Sequence, residues 1–124
     1  EQLSILNFSL RYYGQLQKEL GDFLDSSCLL FSSGWLACFG FVKAIIKDYD
    51  TVLLDELSDK ALFEGARYST RNVHTFKHLD EEDMKTKLVN LRKNNDNGIM
   101  VITDSLFSVD SCSPNLVNYQ RITS

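Results

Sequence analysis

An α/β fold, with a mostly parallel sheet and flanking helices, is what this sequence predicts. Three observations carry that reading. Apolar runs of roughly four to six residues recur along the chain. Longer stretches with apolar residues at helical spacing lie between them. Strands and amphipathic helices therefore alternate, a pattern that right-handed crossovers turn into a parallel sheet.

Taken in order, "QLQKELGDFLD" (15–25) places Leu16, Leu20, Phe23 and Leu24 on one helical face. "CLLF" (28–31) reads as a short buried strand. "SSGWLACFGFVKAIIKDYD" (32–50) opens on Ser32, Ser33 and Gly34, which are helix-capping material, and stays apolar for about three turns. "TVLLD" (51–55) favours a pleated, buried surface. "SDKALFEGARYS" (58–69) starts on Ser58 as its expected N-cap. Its Leu62, Phe63 and Ala66 are placed to face a sheet, and Lys60, Glu64 and Arg67 to face water.

"VHTF" (73–76) is the next strand. "DEEDMKTKLVNLRK" (80–93) is a helix whose acidic start and basic end suit the helix dipole, with Met84, Leu88 and Leu91 as its inner stripe. "NNDNG" (94–98) is a stop and turn. "IMVITD" (99–104) is expected to be the clearest buried strand. "PNLVNYQRI" (114–122) begins a last helix with Pro114 near its first turn. The single proline and a finish at "YQRITS" in apparent mid-helix suggest one partial domain, residues 1–124.

A net charge of −4 argues against a nucleic-acid binder, which would show a basic face. No apolar run nears the roughly 18 residues of a membrane span, and the opening residues lack a secretory-signal pattern. Cys28, Cys38 and Cys112 are odd in number and widely spaced, so reduced thiols in a cytoplasmic, intracellular setting are expected. His74 and His78 fall on a strand running into a loop rather than on a helix, so no metal site is expected.

Ligands of open α/β sheets collect at the carboxyl ends of the strands. Three junctions are polar there: "FSSGW" (31–35), "LDELSD" (54–59) and "TDSLFSVDS" (103–111). At the first, two hydroxyls and a glycine at a helix start suit either simple N-capping or a phosphate. The second is unusually acidic, with Asp55, Glu56 and Asp59 beside a buried strand. Motifs for dinucleotides, for a P-loop and for a nucleophile elbow are missing.

The combination "LDELSDKALFEGARYS … VHTFKHLDEEDMKTKL … GIMVITDSLFSVDSCSPNL" resembles the α-oxoamine synthases. These are fold-type I enzymes of aminotransferase class I/II that use pyridoxal 5′-phosphate (PLP), and they include serine palmitoyltransferase, 8-amino-7-oxononanoate synthase and aminoketobutyrate CoA ligase. Asp55 to Gly65 matches the family's D-x-x-x-H-x-S-x-x-x-G stretch, "FKHLD" its F-x-H-N-D, and "LNFS" (6–9) its opening strand. The resemblance implies part of a large, cofactor-binding domain and a condensation of an amino acid with an acyl-CoA.

It further implies that Ser33, Gly34 and Trp35 lie beside the cofactor phosphate, and that Asp104 and Ser108 lie near the pyridine ring and its 3′-oxygen. Asp59 stands where the family has the histidine that stacks on the ring. The family's Schiff-base lysine motif has no match in this chain, so the catalytic residues stay unassigned. Two roles are implied: a PLP-dependent C-acyltransferase in the parent protein, or a non-catalytic scaffolding subunit like one serine palmitoyltransferase chain. A homodimer or heterodimer is the expected assembly, with no nucleic acid and no membrane span.

Overall fold

A computed structural model describes residues 2–48, 50–93 and 96–124, with side chains described from residue 11 onward. Asn94 and Asn95 of the expected turn lie outside the described residues. The chain divides into two units, 1–37 and 38–124.

In the first unit, α1 (Gln2–Leu24) is a 23-residue helix. Ion pairing of Lys18 with Asp22 at 2.8 Å and the Gln15–Glu19 hydrogen bond support its exposed surface at i,i+4 spacing. Asp25 ends it in the left-handed region (φ 49°), and the Ser26 N–H returns to the Gly21 carbonyl at 3.0 Å. Gly21 permits that return, because a Cβ there would stand 2.8 Å from the Ser26 oxygen.

Two expectations fail in this unit. "LNFS" lies inside α1 and is helical, not a strand. "CLLF" forms no strand either: residues 28–31 have no regular structure, and Leu29 is 79% exposed. A short apolar run looks the same whether or not a neighbouring strand exists to pair with it, and none of the described strands pairs with this one.

The second unit holds the later turns of α2 (Gly34–Ile45), then β1 (Thr51–Asp55), α3 (Lys60–Ser69), β2 (Asn72–Phe76), α4 (Glu81–Lys93), β3 (Ile99–Ile102) and α5 (Leu116–Thr123). The strands form a parallel sheet in the order β2-β1-β3, with Leu53 opposite both His74 and Val101. The central strand is β1, and all five of its residues are buried. β3, expected to be the most buried strand, is an edge strand and only half-buried. Its apolar composition reflects contact with helices on both faces, not a strand on each side.

Side-chain alternation divides the core between the two faces of the sheet. Val52 and Leu54 pack with Val42 and Ile46 from the α2 side and with Ala66 of α3. Leu53 packs with Phe76, Met84 of α4 and Tyr119 of α5 on the other. From β1 the chain moves to one neighbour by way of α3; from β2 it moves the opposite way by way of α4, on the opposite face. Both crossovers therefore share one hand, as parallel units require.

Close packing of α3 on α2 depends on Gly65. A Cβ there would meet the Val42 Cβ at 3.0 Å and the Phe39 carbonyl at 3.1 Å. Gly65→Val therefore overpacks this contact and should cost about 1–3 kcal/mol, read as a lower midpoint in denaturant unfolding. An unchanged midpoint would show that the two helices separate without penalty.

Candidate functional site

Three loops meet at the carboxyl edge of the sheet, following β1, β2 and β3. Asp55, the last residue of β1, shares its sheet face with Leu53 and is fully buried. Its carboxylate is met by donors from two loops. Oδ1 accepts the Leu57 N–H at 2.9 Å and lies 2.8 Å from His78 Nδ1, while Oδ2 accepts the Leu79 N–H at 2.9 Å. A buried carboxylate needs such company, because an unpaired one is costly to desolvate.

His78 follows β2 by two residues. Its backbone N–H donates to Glu56 Oε1 at 3.1 Å, and its Nε2 lies 3.0 Å from Asp110 Oδ2. The ring stands nearly perpendicular to that of buried Phe107, with centroids 4.4 Å apart. Asp110 Oδ1 accepts the Cys112 N–H at 3.0 Å, and reciprocal bonds between Phe107 and the 111–112 backbone close a tight turn. Ser111 in that turn and Leu79 after His78 both lie in the left-handed region, at φ 60° and 55°. Such backbone costs roughly 1–2 kcal/mol for a residue with a Cβ, so the Asp55–Leu79 hydrogen bond holds a strained position. "FKHLD" places a leucine where the resembled F-x-H-N-D has asparagine, a residue that tolerates this region.

The acidic residues after β1 have structural work. Asp59, not Ser58, caps α3: its Oδ1 accepts the Ala61 N–H at 2.7 Å. Asp104 Oδ2 in turn accepts the Asp59 N–H at 2.8 Å, across 45 residues of sequence. Burial, reinforced by the nearby Asp59 and Asp55 charges, raises the Asp104 carboxyl above its ordinary range despite that hydrogen bond. Asp59 and Asp104 are thus brought together, while Ser108 lies exposed on the turn between Phe107 and Asp110.

Ser33, Gly34 and Trp35 belong to the first unit. Ser33 caps α2, its Oγ accepting the Leu36 N–H at 3.2 Å, and nothing stands within 4 Å of where a Gly34 Cβ would point. Trp35 is half-exposed. The cysteines Cys28, Cys38 and Cys112 are free, and among the described residues no helix is long and apolar enough to cross a membrane.

Sequence reasoning missed the Asp55–His78–Asp110 chain and Tyr119. Local spacing carries no sign of either, although "FKHLD" as a motif contained the histidine. Tyr119 stands edge-on to Phe76, and its hydroxyl is buried without a hydrogen-bond partner. Burial, then the charges of Asp55, Glu81 and Asp80, push the phenol up to about 12.

Substitutions at these two buried groups should differ in their effect on stability. Asp55→Asn replaces an acceptor oxygen with a donor facing an N–H, and should cost about 1.5–3 kcal/mol by denaturant unfolding. Tyr119→Phe removes an orphaned hydroxyl and should be neutral or stabilising by about 1 kcal/mol. A loss of stability in Tyr119→Phe would mean that the hydroxyl has a partner.

No family model matches the chain. Individual proteins do. The chain is 33% identical over 101 residues to the 8-amino-7-oxononanoate synthase of Hydrogenovibrio crunogenus, covering 80% of this chain and 25% of that protein. It is 31% identical over 111 residues to the 8-amino-7-oxononanoate synthase of Lysinibacillus sphaericus, covering 88% and 27%.

Among solved structures, a serine palmitoyltransferase from S. paucimobilis with a PLP–myriocin aldimine bound superposes with a TM-score of 0.77 at 20% identity, over 86% of this chain and 27% of that one. The 8-amino-7-oxononanoate synthase from Francisella tularensis superposes with a TM-score of 0.66 at 20% identity, over 89% and 31%. These neighbours share the fold of a fold-type I PLP enzyme. Across a stretch amounting to less than a third of such relatives' length, the chain belongs to the α-oxoamine synthase family.

Proposed function

We propose that the parent protein is a PLP-dependent C-acyltransferase that condenses an amino acid with an acyl-CoA, to which this chain contributes part of the cofactor-binding domain. The observation that carries the reading is identity of about one third to 8-amino-7-oxononanoate synthases over four-fifths of the chain. When bound, the cofactor supplies the electron sink that stabilises a carbanion next to the amino acid's nitrogen.

The residues fit such a group in part. At the start of α2, the open space at Gly34, the Ser33 hydroxyl and first-turn N–H groups suit a phosphate. Asp104, fixed in orientation by the Asp59 N–H, and Ser108, exposed on its turn, are the groups assigned to the ring. Asp59 does not fit. A carboxylate cannot stack on a π-face, and here it is committed to capping α3.

That misfit favours a second reading, in which the chain is a non-catalytic, scaffolding partner in a homodimer or heterodimer. The setting we infer is intracellular, with the three thiols reduced.

Titration with PLP and with pyridoxal, followed by the fluorescence of Trp35, the sole tryptophan, separates these readings. The enzymatic reading expects the phosphate ester to bind at least about tenfold more tightly than pyridoxal, and Gly34→Asp to erase the difference. Equal binding of the two compounds would overturn the phosphate assignment. Asp59→His should strengthen both ligands if a lost stacking contact underlies the scaffolding reading. No gain in that variant would speak against it.

A further inference from the structure

His78 offers both ring nitrogens to carboxylates: Nδ1 to Asp55 at 2.8 Å and Nε2 to Asp110 at 3.0 Å. A neutral imidazole carries one N–H, so one of these contacts would set a lone pair against a carboxylate oxygen. An imidazolium satisfies both. The two carboxylates belong to different parts of the fold, one to the end of the central strand and one to the segment after β3. The ring therefore bridges the sheet to 103–112, and Phe107 packs against it from the same segment.

We propose that His78 is a positioning residue whose imidazolium fastens the 103–112 segment to the end of β1 and so holds the Asp104 carboxylate on the Asp59 N–H. Protonation of one ring then controls whether the proposed ring-orienting group is in place. The functional consequence rests on the reading above; the clamp itself does not.

The charged and titratable groups around the ring are mostly acidic. Asp55 comes from β1, Glu56 from the turn after it, and Asp110 from the segment, with Cys112 hydrogen-bonded to Asp110. The Asp55 charge in turn acts on Asp104 and on Tyr119 from α5. Asp80, which caps α4, acts on Tyr119. Burial of the ring opposes charge, but the hydrogen bonds and charges of Asp55 and Asp110 outweigh it and raise His78 above its ordinary 6.5. Asp110 is lowered below 3.8, first by the Cys112 N–H and also by His78.

The signs bound a pH window. A raised histidine stabilises docking fully below pH 6.5 and ceases to do so as pH climbs through its folded value. A lowered aspartate stabilises docking above pH 3.8 and ceases to do so as pH drops through its folded value. Docking is strongest between the two.

Amide hydrogen exchange, corrected for the intrinsic pH dependence of the rate, tests this on the full chain. Protection of the Phe107, Ser111 and Cys112 amides, and of the Asp59 amide that Asp104 holds, should fall as pH rises above His78's folded pKa. The fall should approach about tenfold per unit by which that pKa is elevated. The buried amides of Val52 and Leu53 serve as an internal reference and should stay protected throughout.

Asp110→Asn should move the fall to lower pH and shrink it. His78→Gln should leave the four amides weakly protected and independent of pH. Flat protection in the unmodified chain would overturn the proposal, as would the same pH profile in folded His78→Gln. If PLP affinity failed to follow pH while the exchange did, the clamp would stand and the cofactor reading would fall.

Discussion

One buried carboxylate organises the carboxyl edge of the sheet. Asp55 ends the central strand with no exposure to solvent, and its two oxygens take donors from the turn after β1 and the loop after β2. Through His78 it reaches the segment after β3. Hydrophobic burial holds the strands and helices together but is indifferent to where loops point. Direction comes from these few charge-assisted bonds, and their shared acceptor sits where the strand order is centred.

Much of the fold was legible from periodicity. Leu62, Phe63 and Ala66 do face the core, as do Met84, Leu88 and Leu91, because an amphipathic helix writes its inner face into the sequence every three or four residues. Strand identity was less legible. "TVLLD" and "CLLF" look alike in composition, but the first acquires two partners and the second none among the described strands. Pairing is a property of distant sequence, and so is rank within the sheet, which is why "IMVITD" was expected to lie deeper than it does.

The candidate site was legible as a location more than as an arrangement. The polar stretches at 54–59 and 103–111 do lie at one edge of the sheet, after β1 and β3, whereas "FSSGW" follows no strand. Their pairing did not show, since Asp55 and His78, or Asp59 and Asp104, are joined only by the crossovers that fold them together. The family motif supplied the histidine's position without its partners. Capping also shifted by one residue: Asp59 has a longer, charged acceptor than Ser58 and takes the Ala61 N–H in the first turn of α3.

The order of strands in space differs from their order along the chain, and this shapes how the sheet can assemble. Thr51 pairs with Asn72 on one side and with Ile99 on the other, so the second pairing closes a loop somewhat over twice as long as the first. Each doubling costs only about 0.6 kcal/mol in chain entropy. Yet β1, α3 and β2 can meet without waiting for the remainder, whereas β3 must find an edge already laid down. Among the described strands, the central one is thus the first to be synthesised and the last to be enclosed on both flanks.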